Sequence, residues 1–105
     1  MLERDGIAVG ALDVGQRFEW VEPVTPPELY IRLVITARAH AGQGLGALLI
    51  DEALAQARER SAELLRVDCW AGAPTLVAWY ESQGFSRTHT FTVRDWDGQV
   101  LERAV

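Results

Sequence analysis

The sequence has no lysine. Its ten basic residues are all arginine and stand against fifteen acids, for a formal net charge of −5. An acidic chain repels nucleic-acid phosphates and anionic lipid, so both partner classes are set aside. Cysteine is nearly absent: Cys69 is alone. One cysteine forms no internal disulfide, and a reducing cytoplasm is the simplest expected location. No apolar run approaches about 20 residues, so no membrane-spanning helix is expected. Met1 to Gly6 lacks the basic-then-apolar order of a signal peptide. Repeats and low-complexity tracts are missing too. What is present is 105 residues, 49% of them hydrophobic, which suits one domain with a real core and excludes a disordered or collagen-like chain.

Periodicity gives the elements. Asp5-Gly6 is a hairpin signal with only four residues before it, so the chain looks as if it begins inside a strand. Ile7 to Val14 reads as a strand. Gly15 to Glu28 reads as irregular, because Pro23, Pro26 and Pro27 deny ladder hydrogen bonds; Phe18 and Trp20 alternate with charged neighbours as in a short strand. Leu29 to Thr36 alternates, with Leu29, Ile31, Leu33 and Ile35 on one face and Tyr30, Arg32, Val34 and Thr36 on the other. Leu45 to Arg60 has helical spacing at Ala47, Ile50, Leu54 and Ala57. Leu64 to Trp70 reads as a buried strand, and Thr75 to Gln83 as a short helix stopped by Gly84. Phe85 to Val93 and Val100 to Val105 close the chain as strands. The turn between them is expected at Asp97-Gly98. The order ββαβαββ predicts an α/β (α+β) fold, a mixed sheet with two packed helices.

The chemistry concentrates where a strand feeds Gly42-Gln43-Gly44-Leu45-Gly46-Ala47 and then a helix. Glycines let backbone N–H groups approach phosphate oxygens, and the helix dipole favours the negative charge, with no lysine required. A Walker loop is excluded, since no Gly-Lys-Ser/Thr follows. The dinucleotide fingerprint fails on spacing. The plain alternative is that small residues let the helix pack tightly on the sheet.

Ala41-Gly42-Gln43-Gly44-Leu45-Gly46 resembles the Gln/Arg-x-x-Gly-x-Gly/Ala signature of the GNAT family of N-acetyltransferases, departing from it at Ala41. Tyr80-Glu81-Ser82-Gln83-Gly84-Phe85 resembles the family's Tyr-Glu-x-x-Gly-Phe helix end. The resemblance spans nearly the whole chain. It implies one acetyl-CoA-binding domain over residues 1–105, the C-terminal two-thirds of the usual fold, without that fold's first strand and first two helices. It implies that Gly42, Gln43, Gly44, Leu45, Gly46 and Ala47 hold the pyrophosphate of acetyl-CoA. The pantetheine arm would pair with Val34, Ile35 and Thr36, where a backbone N–H can also stabilise charge on the thioester oxygen. Tyr80 matches the residue that protonates the leaving thiolate; without the motif it reads as core packing.

A base is also needed. Asp68 shares a strand face with Arg66 and Trp70 and is the candidate; its alternative is an ion pair with Arg66 or Arg32. Glu28 and Glu22 stand behind it. Cys69 lies on an apolar face with no base beside it and reads as inert. His40 precedes the glycines, and His89 is expected on an exposed strand face. Neither has a ligand-spaced partner, so no metal site is expected.

The absent helices usually line the acceptor side. A shortened chain, a second subunit that supplies the wall, or self-association over Phe18, Trp20, Trp70 and Trp96 would each account for this. An open sheet edge near Met1 favours a homodimer. The expected activity is direct attack of a primary amine, on a small molecule or a peptide, upon acetyl-CoA. The rivals are a non-catalytic CoA-binding or interaction module and a plain structural domain.

Overall fold

A computed structural model describes residues 2–4, 7–36 and 44–105. Its strands are β1 (Leu2–Arg4), β2 (Ile7–Gly15), β3 (Glu28–Thr36), β4 (Leu64–Trp70), β5 (Ser86–Val93) and β6 (Trp96–Ala104). Helix α1 (Leu45–Glu59) connects β3 to β4, and α2 (Pro74–Ser82) connects β4 to β5. The six strands form one sheet in the order β1-β2-β3-β4-β6-β5. Only β3 and β4 run parallel; a helical crossover is what allows that. The expected α+β class and helix positions hold, and the short first arm is itself a sixth strand.

Both helices cover one face of the sheet. Ile50, Ala53, Leu54 and Ala57 of α1 and Val77 and Tyr80 of α2 pack on Leu29, Ile31, Leu65, Val67 and Leu101. Full burial of each aliphatic side chain contributes roughly 1.5–3 kcal/mol, so this layer dominates the stability. On the other face a smaller cluster, Val21, Tyr30 and Val100 with Phe18 and Phe91, sits under the proline-rich segment.

Three sequence expectations are corrected. The segment holding Phe18 and Trp20 is a turn, not a strand. The Val21 N–H donates to the Phe18 carbonyl at 3.1 Å, closing the turn, and the two rings stack at 4.9 Å with planes 3° apart. Alternation along β3 breaks at Arg32. Leu33 pairs with Asp13 but Ile31 pairs with Val14, so β3 carries one extra residue there. Past that bulge Val34 packs towards the helices, as Ile31 does before it. The last hairpin turns at Arg94-Asp95, both left-handed (φ 50° and 65°), with Val93 opposite Trp96. Two consecutive left-handed residues make the tight turn that suits a twisted hairpin.

Gly98 therefore lies inside β6, and a Cβ there would overlap the Phe91 ring that crosses it. The glycine is kept for that ring, not for a turn. Gly98→Ala should cost about 1–3 kcal/mol, as overpacking does, and lower the melting temperature measured by circular dichroism. Phe91→Ala in the same chain should return part of that loss in a double-mutant cycle.

Candidate active site

The bulge at Arg32 creates the site. From Glu28 to Ile31, β3 pairs with Leu64 to Val67 of β4. Both strands continue, but among the described residues no ladder pair joins them beyond Ile31 and Val67. A bulge bends its own strand, so β3 leaves β4 and stays with β2. Between the splayed strands opens a cleft of about 220 Å³. Val34 and Arg32 line it from β3, Asp68, Cys69 and Trp70 from β4, and Tyr80 from α2.

Tyr80 reaches the cleft from the helix side. It is the third residue from the end of α2, and that end is a tightly specified cap. Gly84 takes φ 92°, its N–H donates to the Glu81 carbonyl at 3.0 Å, and the Phe85 N–H donates to the Tyr80 carbonyl at 3.2 Å. This is the Schellman arrangement, with Phe85 packed edge-on against Tyr80 at 5.8 Å. The Tyr-Glu-x-x-Gly-Phe pattern thus has a local physical meaning: it fixes the tyrosine on the last turn. Burial, with Cys69 and Asp68 adding, pushes the Tyr80 hydroxyl up to about 12. The phenol is protonated at neutral pH and free to donate.

Asp68 reaches the same cleft from the opposite face of the sheet. It forms neither expected ion pair. Arg66 is fully buried and donates to Glu28 at 3.1 Å, while Arg32 donates to the Gln16 carbonyl at 2.9 Å and lies over the Phe18 ring. Asp68 instead accepts a 2.6 Å hydrogen bond from the Tyr30 hydroxyl. Burial raises its pKa and the Tyr30 bond pulls partly against that. Sequence reading missed Tyr30 as a site residue. No sequence signal marks it: Tyr30 pairs with Arg66, two residues before Asp68 on the same face. Only the strand register reveals that.

The remaining candidates divide. Cys69 is buried, and burial together with Asp68 pushes its thiol up, away from the thiolate. Glu28 is committed to Arg66, and Glu22 is exposed. His89 is half-buried with Nε2 enclosed and unpartnered, against the expected exposed position; a register shift between Arg87 and Thr90 turns it inward. His40, Gly42 and Gln43 lie outside the described residues. Ile35 and Thr36 continue β3 past the point where β4 departs.

Gly44 starts α1 with φ 74°, and no side-chain hydrogen bond or first-turn acid occupies that end. The first-turn amides of α1 thus lack intrahelical acceptors, and no described side chain caps them. Gly46 has a second duty, since a Cβ there would stand 2.7 Å from Cζ2 of Trp79 on α2. The packing explanation holds for Gly46; Gly44, with open space around it, is required by its left-handed backbone.

A profile of the acetyltransferase (GNAT) family matches residues 1–85. The chain belongs to the GNAT acetyltransferase family. Among solved structures it is similar to a ribosomal-protein-alanine N-acetyltransferase from Brucella melitensis, 27% identical with a TM-score of 0.77 over 99% of this chain and 66% of that one. A GNAT acetyltransferase from Elizabethkingia anophelis, solved with acetyl-CoA bound, shares the fold at 14% identity and a TM-score of 0.77, over 98% of this chain and 72% of that one. An acetyltransferase crystal structure gives a TM-score of 0.80 at 18% identity, over 99% of this chain and 68% of that one. The GNAT chain thus spans about two thirds of the length of these proteins. No curated protein matches its sequence.

Two measurements test this geometry. The raised Tyr80 pKa means that the unfolded state ionises first, from about pH 10, while the folded state holds its proton to about 12. Stability should fall as pH rises through that window, by about 2–3 kcal/mol from this group. Tyr80→Phe should make urea unfolding flatter between pH 10 and 12. Gly46→Ala should cost about 1–3 kcal/mol, and Trp79→Leu in the same chain should recover part of it.

Proposed function

We propose that this GNAT protein transfers an acetyl group from acetyl-CoA to a primary amine. The observation that carries the reading is a cleft opened through the sheet, with a protonated phenol on one side and an unneutralised carboxylate on the other. The cleft fits the coenzyme. One edge of β3 beyond Ile31 has no strand partner among the described residues, and no described side chain caps the start of α1. Val34, Ile35 and Thr36 would pair with the pantetheine arm, and Gly44, Leu45, Gly46 and Ala47 would face the pyrophosphate. Gly42 and Gln43 are proposed with them from the sequence pattern.

Acetyl-CoA, when bound, supplies an activated acyl carbon and a thiolate leaving group. Asp68 takes the surplus proton from the attacking nitrogen, directly or through water, and its raised pKa makes it a stronger base than a free carboxylate. Tyr80 gives its proton to the departing sulfur and recovers one from solvent. A C–N bond forms and the C–S bond breaks, with no covalent enzyme intermediate, because Cys69 is buried and held as a thiol. Backbone N–H groups of β3 stabilise the oxygen charge of the tetrahedral state.

A thermal-shift titration with acetyl-CoA, CoA and ATP tests the coenzyme. At a hundred times its dissociation constant, acetyl-CoA should add about 2.7 kcal/mol of stability, and ATP should add far less. Tyr80→Phe should then lower kcat by about 10²-fold or more while keeping the acetyl-CoA shift. A shift without turnover in the parent chain would make it a binding module; no shift at all would sink the reading.

A further inference from the structure

We infer that the acceptor of this GNAT protein is a small amine carrying an aromatic or bulky apolar group, bound in a second groove beside the acyl cleft. The inference rests on the acetyl-transfer reading above and names its substrate class. The groove encloses about 390 Å³ on the face away from the helices. That volume is within the range of small-molecule pockets. Its two sides are aromatic. Phe18 and Trp20 stack as a flat platform on the proline-rich segment. Phe91 and Trp96, 5.7 Å apart, form the facing wall on the last hairpin. Trp20 and Trp96 keep 45% and 41% of their surface exposed, a large cost for tryptophan unless something covers them.

Charge selects among occupants. Arg32 and Asp68 line both the groove and the acyl cleft, so the two cavities meet at these residues. Arg32 is already engaged, by the Gln16 carbonyl, the Phe18 ring and the Asp13 carboxylate 3.9 Å away. Asp68 has only the neutral Tyr30 hydroxyl; among the described residues no cation pairs with it. The junction therefore offers one carboxylate without a counter-ion, ringed by aromatic faces. An ammonium group answers both features, through charge and through attraction to the ring faces. An amine seated there places its nitrogen at Asp68, where the groove opens to the acyl cleft, and lays its substituent between the platform and the wall. A polyamine would need further acids in the groove, and among the described residues Asp68 is the only acid lining it.

The test uses 2-phenylethylamine, its neutral analogue 2-phenylethanol, and the polar 2-methoxyethylamine. Binding is read from the tryptophan indole N–H signals by NMR on the coenzyme-free protein. Phenylethylamine should shift the Trp20 and Trp96 signals saturably and bind about tenfold or more tighter than either analogue. Released CoA then gives kcat/KM for each amine, and phenylethylamine should lead methoxyethylamine by about tenfold or more. Trp96→Ala should cut that preference at least about fivefold; if this variant fails to fold, Trp20→Ala carries the same expectation. Equal binding of phenylethanol, or indole signals that move with protein concentration alone, would overturn the inference, the latter by giving the groove to a second copy of the chain. Tight amine binding without acetyl transfer would leave the groove standing and remove the transferase reading. Transfer to methoxyethylamine with no indole shift from phenylethylamine would do the reverse.

Discussion

The site depends on one extra residue in β3. Arg32 has no partner of its own on β2, so the strand bends and its register flips. Without the bulge, β3 and β4 would pair to their ends and the sheet would close over the place where Tyr80 and Asp68 meet. With it, the sheet has a slot that passes from one face to the other. The two groups lie on opposite faces because β4 is extended: Cys69 faces the helices and Asp68 faces away. A slot through the sheet is the geometry in which residues of opposite parity can line one cavity.

The bulge has its own support. The Arg32 side chain folds back, donating to the Gln16 carbonyl and covering Phe18. That ties the bulged strand to the segment that carries the aromatic platform. Beneath it runs a line of polar groups across β3 and β4: Glu28 holds Arg66, Arg66 lies 5.8 Å from the Tyr30 ring centre, and Tyr30 holds Asp68. Arg66 is 1% exposed, and Arg66 Nε and Glu28 Oε1 are buried without partners. A buried pair of this kind contributes little net stability. Its effect here is positional, since it fills the space beside Tyr30 and leaves the ring one direction to point its hydroxyl.

What could be read from the sequence was local. The helical spacing of α1, the proline-rich break and the Schellman glycine after Tyr80 each follow from a few neighbouring residues, and the structure places all three where the pattern did. Gly44 was legible as the start of α1 for the same reason. The bulge was not, because Leu29 to Thr36 alternates without interruption and the break appears only against β2. The partner of Asp68 was hidden likewise: Tyr30 lies 38 residues away, and the parallel register decides their meeting. The Asp97-Gly98 signal misled because glycine serves two needs, positive φ in turns and room for a crossing ring in strands. Phe91 supplied the second need, and Arg94-Asp95 took the turn without glycine.

The choice of a tyrosine to hold Asp68 bears on what that carboxylate can do. An arginine in the same place would satisfy the charge and lower its pKa by about 1–3 units, leaving a weak base. A neutral phenol fixes the carboxylate's orientation through a short hydrogen bond while burial keeps its pKa raised. The fold bears the cost of an uncompensated, half-buried charge above that pKa, and the cost is relieved whenever a cation arrives. On the proposed reading a cationic substrate is drawn to Asp68, which has no cation paired with it among the described residues. In that reading Asp68 passes the ammonium proton on to solvent before the neutral nitrogen attacks, and so is free to take the surplus proton that the nitrogen sheds afterwards.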